Sequence, residues 1–391
     1  MSTASERRQP TLQEQRDAGR APGRRDREAA AREAYFSAGQ MKLVWLKFKN
    51  HRWARVALVV LAAFYVMVIF NGFFEINDPV ERRPDFRFLP PARIPLFDQE
   101  GRFRPVVYEI TSQLNWETLE REFTPDLDTE TPLRLFVHGH EYDLFGFIPS
   151  TLHFVGTGTL EVLWYPLGTD SQGRDLFSRI VRGSAISLTI GLVSIVISWV
   201  LGITIGSISG YFGGTVDNII QRLIEVFMSF PTLPLWMALS ASLPLDWGII
   251  QVYLAITIIL SIFGWTGLAR TVRSKFLSLR EEEYVVAAKL DGAPVRRQLF
   301  RHMLPSFASH LIVEGSNRIP AMILGETALS FLGIGMRAPA ISWGVLIQEA
   351  QNVSVVALRP WLLIPALMVI FTVIAFQFLG DGLRDAMDPY R

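Results

Sequence analysis

The sequence predicts an all-α polytopic membrane protein with six transmembrane helices and an extracytoplasmic insert of mixed or β structure between the first two. Half of the 391 residues are hydrophobic and only 19% are charged, whereas about a quarter of a soluble globular chain is charged. Several segments reach the roughly 20 apolar residues needed to cross a bilayer core about 30 Å thick. The segment between the first two of them is polar and acidic, which places it outside the membrane.

Six spans are predicted from these apolar segments. The third is interrupted by Pro231 and Pro234, and the fifth contains Glu314, Arg318 and Glu326. Neighbouring helices of a bundle satisfy such breaks, so both segments remain predicted spans. The six spans lie at about residues 54–74, 186–210, 222–243, 248–269, 308–328 and 361–380.

The distribution of basic residues predicts the side of the membrane on which each loop lies. Residues 1–53 hold 12 Lys or Arg against 6 Asp or Glu, and residues 270–301 hold eight Lys or Arg, whereas residues 75–165 hold 8 basic against 16 acidic residues. Cytoplasmic loops carry the excess of Lys and Arg. We therefore expect a multi-pass protein of a bacterial inner membrane, with both termini in the cytoplasm and the acidic segment outside.

The chain divides into four predicted parts. Residues 1–40 form a disordered cytoplasmic tail of polar composition, whose interspersed acidic residues argue against a nucleic-acid partner. Residues 41–74 comprise an amphipathic helix at the lipid headgroups and the first span. Residues 75–165 form the extracytoplasmic insert. Residues 166–391 form a core of five spans with a cytoplasmic loop at 270–305.

Short strands and loops are predicted in the insert, because it contains Pro-rich and alternating runs such as FLPPARIPLF and RLFVHGHEYDLFGF. His138 and His140 share one face of such a strand, but the His-Glu-x-x-His pattern of helical zinc sites is absent. No metal site is therefore predicted. The chain has no Cys, which excludes Cys-ligated zinc, iron–sulfur clusters and thiolate nucleophiles.

Small residues recur at every fourth position of the second predicted span. Ser198, Gly202, Gly206 and Gly210 make a smooth ridge along one side of that helix. Helices in membranes approach one another closely along such ridges. The ridge predicts helix packing and no chemistry.

The cytoplasmic loop carries a short helix with a distinctive face. Tyr284, Ala287, Ala288 and Asp291 are spaced i, i+3, i+4 and i+7, which puts them on one side of a helix with small residues at its middle. Such a face can enter a groove on another protein. Gly292 suits the left-handed position that ends a helix.

The loop also resembles a known motif. Ala287-Ala288 followed by Gly292, and then His302 and Leu304-Pro305, look like the EAA loop of ABC importer permeases, and specifically of the C-type subunit of the dipeptide/oligopeptide permease family. Three positions depart from the family pattern, namely Val286 in place of a usual Glu, Ser306 in place of Asn and Gln377 in place of Asn. Further blocks that match lie at Pro166–Arg179, Ser187-Leu188, Gly191, Gly210–Gly214, Asp217, Glu326, Leu329–Gly333, Gly335, Trp343-Gly344, Leu379–Asp385 and Asp388-Pro389.

The resemblance implies a type I importer permease with four partners besides membrane lipid: a second homologous permease, two ATPase subunits and an extracytoplasmic substrate-binding protein. It implies that the helix at about 282–292 docks in the ATPase cleft and couples ATP use to movement. ATP and Mg would then be used by the ATPases, and the sequence itself has no Gly-x-x-x-x-Gly-Lys-[Ser/Thr] loop. We expect a non-catalytic subunit that binds no cofactor directly. The ATPase-coupling residues implied are Glu283, Tyr284, Ala287, Ala288, Asp291 and Gly292.

Three ionisable residues within the fifth span are candidates for the translocation path. Charged side chains in hydrocarbon are costly and normally face a partner or an aqueous cavity. Glu314 and Arg318 are four residues apart and share a helix face, and Glu326 follows on the same segment. The alternative is an internal ion pair that fixes the register of the helix.

The implied cargo is oligopeptide, with oligosaccharide or another small solute as the alternative on the same architecture. A secondary transporter is a rival from another class, but such proteins have duplicated halves, and no convincing internal repeat is present. The block Pro166–Arg179 has no nucleophile beside a base and is predicted to be a structured turn at the outer face. The insert is expected to help receive the binding protein.

Overall fold

The computed structural model describes residues 40–387, without residues 96, 98–101, 118–120 and 160–161. The tail predicted at residues 1–40 and the family match at Asp388-Pro389 fall almost entirely outside this part of the chain. The first described elements are helices α1 (Gln40–Asn50), α2 (Arg52–Ile69) and the single turn α3 (Asn71–Phe74). His51 separates α1 from α2 and caps α2, because its Nδ1 accepts a hydrogen bond from the Ala54 amide.

The segment after α3 contains a 3-10 turn at Pro84–Phe86 and four strands, which form two separate antiparallel hairpins. The first hairpin pairs β1 (Val106–Leu114) with β2 (Arg121–Pro132). The second pairs β3 (Arg134–Leu144) with β4 (Ile148–Gly156), and its register shifts between His138 and Tyr142.

The remaining chain is helical. A π-helical segment, Gln298–Met303, precedes α10, and 3-10 turns at Glu349–Gln351 and Pro360–Leu363 flank α12. The helices are α4 (Leu176–Phe212), α5 (Gly214–Ser229), α6 (Thr232–Ala241), α7 (Ile249–Leu279), α8 (Glu283–Leu290), α9 (Val295–Arg297), α10 (Leu304–Phe331), α11 (Trp343–Gln348), α12 (Val353–Leu358) and α13 (Ile364–Met387).

Fewer helices than the predicted six are apolar and long enough to cross a membrane. Within the described ranges four qualify, namely α2, α4, α7 and the segment Pro360–Met387 that contains α13. The third predicted span is a pair, α5 and α6, which bends by 79° at the break before Thr232 and supplies at most one further crossing. Pro231 at this break has no amide hydrogen to donate, so a straight helix cannot continue through it.

The fifth predicted span is helix α10. It is long, but it is less apolar than the four helices above and contains Glu314, Arg318 and Glu326. It nevertheless packs along α4 in antiparallel fashion. Glu326 contacts Ser187 near the start of α4, and Gly315 faces the Trp199 ring further along α4.

Helices α4 and α7 run in the same direction and pack closely. Ser198 Oγ donates to Ser261 O at 3.1 Å. Nearer the C-terminal ends of both helices, Gly210 faces the backbone of Arg273. The contact between α4 and α7 is one core of the protein. Another surrounds Trp343, which is fully buried between α2, α4, α10 and α13 and donates from Nε1 to Ile180 O at 3.0 Å. These two cores fix the ends of the long helices relative to one another.

Candidate functional site

The helix predicted to couple to a partner is α8. Its C-terminal end forms a Schellman motif, in which the Ala293 amide donates to Ala288 O at 3.0 Å and the Gly292 amide donates to Lys289 O at 3.1 Å. Gly292 has φ of +73°, a conformation that glycine adopts without a steric penalty. The predicted helix stop at Gly292 is therefore confirmed.

Helix α8 presents one side to the body of the protein and the other to its surroundings. Val285 is buried in a cluster with Phe276 and Met303, and Ala288 is only 9% exposed. Ala287 is exposed, so the face predicted from Ala287 and Ala288 together is split between the two sides. The reason is geometric, since successive helical residues point about 100° apart. The exposed residues of the predicted set are Glu283, Tyr284, Ala287, Asp291 and Gly292.

The most exposed apolar residue of this helix, Leu290, is not among the residues predicted from the sequence. Leu290 is 83% exposed, and Val286, four residues earlier and thus on the same side of the helix, is 40% exposed. A cluster of exposed apolar side chains on a polar loop is typical of a protein contact surface. The signal was present in the sequence as a leucine next to the predicted helix end.

Hydrogen bonds mount α8 on the long helices. Gln298, which is buried, donates from Nε2 to Ala293 O at 2.7 Å and accepts from Tyr211 Oη at 2.7 Å. Tyr284 Oη lies 3.3 Å from Ser306 Oγ at the start of α10. The turn after α8 is thus tied to the last residues of α4, and α8 itself to α10.

The same end of the molecule contains a partly buried ion pair between α5 and α7. Asp217 accepts from both Nε and Nη2 of Arg273, the latter at 2.5 Å, and also from Ser209 Oγ at 2.5 Å. Bidentate pairs of this kind fix geometry as well as charge. Asp217 matched the family pattern, but its partner Arg273 lies 56 residues away and was not predicted.

Glu314 and Arg318 form the ion pair that their spacing allows. Arg318 Nε donates to Glu314 Oε1 at 2.8 Å, and Arg318 Nη1 donates to Gly264 O of α7 at 3.1 Å. Each side chain is about a quarter exposed. The pair therefore connects α10 to α7 as well as linking two turns of α10.

Glu326 lies at a different level of α10 and has a different environment. It is fully buried and accepts from Ser187 Oγ at 3.1 Å and Ser330 Oγ at 2.8 Å. Ser187 Oγ in turn accepts from the Trp343 amide at 3.0 Å. Glu326 therefore braces α10 against α4 and α11.

The predicted ridge of small residues lies against α7. Ser198, Gly202, Gly206 and Gly210 are all buried. A Cβ atom at Gly206 would come within 2.5 Å of Ala269 O, and one at Gly210 within 2.7 Å of Arg273 O. The backbones of α4 and α7 are thus close enough to exclude larger side chains.

A network of charged groups caps the opposite end of α4. Asp170 accepts from Arg174 Nε at 2.6 Å, and Arg179 Nε lies 3.3 Å from the same carboxylate. Glu349 accepts from the Ser171 amide at 3.1 Å, and burial raises the pKa of its carboxyl above the ordinary range. Asp175 accepts from the Ser178 amide at 3.1 Å, and burial raises the pKa of this carboxyl to about 6. The block Pro166–Arg179 is thus a structured turn.

Buried Glu75 joins the β3–β4 hairpin to α4, because its carboxylate contacts α4 and its backbone carbonyl contacts the hairpin. Glu75 accepts from Arg182 Nε at 2.5 Å and Nη2 at 2.7 Å. His153 Nδ1 lies 2.8 Å from Glu75 O, and its Nε2 lies 3.0 Å from His140 O. Burial lowers the pKa of His153.

The histidines do not assemble a metal site. His138 is exposed and bonds to Thr151 Oγ1 at 2.9 Å, whereas His140 turns inward, because the register shift after His138 breaks the alternation of the strand. Among the described residues, no group of three or more His, Asp or Glu side chains is placed to hold a metal ion.

The sequence matches two known protein families. Residues 202–390 match the family described as binding-protein-dependent transport system inner membrane component. Residues 39–91 match the N-terminal TM domain of oligopeptide transport permease C.

Several curated relatives are similar over much of the chain. The oligopeptide transport system permease protein OppC of Haemophilus influenzae is 40% identical over 223 residues, which is 57% of this chain and 69% of that protein. The dipeptide transport system permease protein DppC of Lactococcus lactis is 32% identical over 346 residues, or 88% of this chain and 89% of that protein. The corresponding DppC of Bacillus subtilis is 38% identical over 227 residues, 58% of this chain and 68% of that protein.

Among solved structures, an inward-facing MetNI methionine ABC transporter chain aligns with a TM-score of 0.42 and 16% identity, over 53% of this chain and 95% of that one. The family matches and the relatives agree along the sequence. Together they show that this chain belongs to the family of binding-protein-dependent transport system inner membrane components.

Proposed function

We propose that this chain is a permease subunit of an ATP-driven importer of the dipeptide/oligopeptide type, in which separate ATPase subunits drive alternating access. The observation that carries the proposal is the mounting of α8, a short helix with an exposed apolar side that is held by Gln298 and Tyr284 on the ends of α4 and α10. A force applied to such a helix reaches the long helices through these contacts.

The cargo proposed is a short peptide, since the similar proteins are named as oligopeptide and dipeptide permeases. An oligosaccharide or another small solute is the alternative cargo. Purifying the cognate binding protein and identifying its bound ligand by mass spectrometry distinguishes them, because a peptide ligand supports the first and a sugar contradicts it.

The partners proposed are a second homologous permease, two ATPase subunits that use ATP and Mg, and an extracytoplasmic binding protein. The chain itself has no catalytic role. We propose that the acidic insert helps to receive the binding protein. Deletion of residues 105–133, which contain the β1–β2 hairpin, should then weaken binding-protein docking to the assembled complex, and unchanged docking affinity would contradict this role.

We also propose six crossings in the type I arrangement, with both termini in the cytoplasm. The packing directions support α10 as a crossing, because it lies antiparallel to α4 along much of that helix. Alternation along the chain then gives α2, α4, the bent pair α5 and α6, α7, α10 and α13. The charged side chains of α10 are paired or hydrogen-bonded, which reduces the free-energy cost of placing this helix in the bilayer.

Substitution of Leu290 tests the coupling role of α8. Leu290→Glu places a charge on its most exposed apolar position, so we expect loss of ATPase binding and of uptake in proteoliposomes, while the permease pair stays in the membrane. Val353→Glu, at an 80% exposed position on α12, is the matched control and should leave ATPase binding intact. Normal, ATP-dependent uptake by the Leu290→Glu complex would overturn the proposal.

A further inference from the structure

Seven phenylalanines lie at the C-terminal end of α2 in two groups of contacting rings, together called here the phenylalanine patch. The ring centroids of Phe70 and Phe145 are 5.6 Å apart, and those of Phe136 and Phe154 are 5.9 Å apart. The patch is built by the end of α2, by α3 and by the β3–β4 hairpin. Its members are Phe70, Phe73, Phe74, Phe136, Phe145, Phe147 and Phe154.

Much of this patch is exposed within the chain. Phe147 is 74% exposed and Phe136 is 60% exposed, and Leu135, Ile148 and Leu152 add exposed apolar surface beside them. Leaving apolar surface in water costs about 25 cal/mol per Å². Contiguous apolar patches of this kind mark contact with a protein or with a membrane.

The turn of the β3–β4 hairpin has a composition that is unusual for a turn in water. Residues 144–148 read Leu-Phe-Gly-Phe-Ile, whereas Asn, Asp, Ser and Gly usually occupy such positions. Phe145 has φ of +56° and Phe136 has φ of +55°. An L-residue in this region costs roughly 1–2 kcal/mol. Phenylalanine at such positions indicates a use for the ring itself.

The other hairpin of the insert is more acidic. Strands β1 and β2 carry five acidic residues, although Trp116, between Asn115 and Glu117 after the end of β1, is 81% exposed. The acidic residues of the first hairpin are Glu109, Glu122, Asp126, Asp128 and Glu130.

The patch continues the lipid-facing side of a membrane helix. Val59, Val66 and Ile69 lie along the exposed stripe of α2, which ends at Phe70. Helix α2 is long and apolar enough to cross a membrane and lies within the part of the chain that matches an N-terminal TM domain, so this stripe is expected to face acyl chains. Phe70 contacts Phe145, and Phe145 contacts Phe147 at a centroid distance of 6.3 Å, so the same apolar surface runs onto the hairpin turn.

We propose that the turn of the β3–β4 hairpin is immersed in the membrane interface, in the leaflet at the C-terminal end of α2, where lipid acyl chains cover the phenylalanine patch. Asp143 and Pro149 are paired across the strands, so they lie on the opposite face from the pair Leu144 and Ile148. The carboxylate can thus stay at the headgroups. This inference depends on α2 crossing the membrane and on no assumption about cargo.

The structure also gives the immersed hairpin a second attachment. His153 and the Glu75–Arg182 pair hold its inward side against α4. The hairpin is therefore fixed both to the bilayer and to the helical core.

Spin labelling tests the proposal, and the absence of Cys from the chain makes single-site labels simple to introduce. Phe147→Cys and, as the control, Asp128→Cys in the first hairpin are labelled with a nitroxide in the assembled complex, in nanodiscs of phosphatidylcholine and phosphatidylglycerol. We expect the ratio of collision rates with oxygen and with a water-soluble nickel chelate to be several-fold higher at position 147. Equal ratios at the two positions would overturn the proposal.

A second variant separates immersion from folding. Phe145→Asn removes an apolar ring but tolerates the positive φ, so the hairpin should keep its fold. In this background we expect the ratio at position 147 to fall towards that of the control. Shielding of position 147 from both reagents would contradict the lipid assignment: if shielding required the binding protein, the patch would be its docking surface.

Discussion

Asp175 caps the N-terminus of α4 with a carboxyl group that is almost fully buried. It accepts hydrogen bonds from the Phe177 and Ser178 amides at 3.3 and 3.1 Å. These bonds favour the ionised form, yet the cost of desolvation is larger and raises the pKa to about 6. The cap is therefore stable in its neutral form.

This residue predicts a pH dependence of stability. The folded state holds its proton up to about pH 6, whereas the unfolded carboxyl loses it near pH 4. The free energy of unfolding should thus fall as pH rises through this window, by on the order of 1.4 kcal/mol per unit. Asp175→Asn keeps a capping oxygen without the titration. The apparent melting temperature of Asp175→Asn should exceed that of the wild type at pH 7 but not at pH 4.5, and a difference independent of pH would refute this.

Residues whose role depends on local spacing could be predicted from the sequence. Gly292 ends α8 because of its own φ, and the ridge that includes Gly206 follows from a four-residue repeat. Residues that depend on distant partners were missed. Arg182 meets Glu75 across 107 positions, and Gln298 meets Tyr211 across 87, which no local pattern encodes.

At the scale of elements, α10 shows how a helix with charges is held in an apolar bundle. Arg318 completes a pair with Glu314 and also bonds to α7, while Glu326 bonds to serines of α4 and α10. Hydropathy alone gives α10 a low value, because it ignores such pairing. This accounts for one of the two predicted spans that are not among the four long apolar helices, and the bend between α5 and α6 accounts for the other.

We propose that Glu314 and Arg318 set the register of α10 against α7 without contacting cargo. Arg318→Met leaves Glu314 unpaired, so it should lower the thermal stability of the assembled complex more than the double variant with Glu314→Gln does. Uptake per assembled complex should be unchanged in the double variant. A reduced uptake per complex, with assembly intact, would instead assign the pair to the translocation path.

At the scale of the whole molecule, the two ends of the helical bundle carry different polar structures. One end has α8 and its hydrogen-bonded mount, and the other has the Asp170 and Glu349 network beside the hairpins. The strands of the insert and the apolar helices could be predicted from the sequence, and Pro231 marked the break between α5 and α6. Which side of α8 would be buried could not be predicted, because it depends on packing against Phe276 and Met303.

The proposed topology puts these two ends on opposite sides of the membrane. In right-side-out vesicles that contain the assembled complex, Asp128→Cys should react with an impermeant maleimide, and Lys289→Cys should react only after the vesicles are opened. Both positions are exposed, so access depends on sidedness. Labelling of Lys289→Cys in closed vesicles would contradict a cytoplasmic α8.

Helix α4 has 37 residues without a break, from its cap at Asp175 to the vicinity of Tyr211. At 1.5 Å per residue it is a shaft about 55 Å long. A continuous helix of this length resists compression, so an axial displacement of its C-terminal end also displaces its N-terminal end. In the proposed topology, a displacement imposed at Tyr211 would move the charged residues around Asp170 at the opposite end of α4, without any intermediate loop.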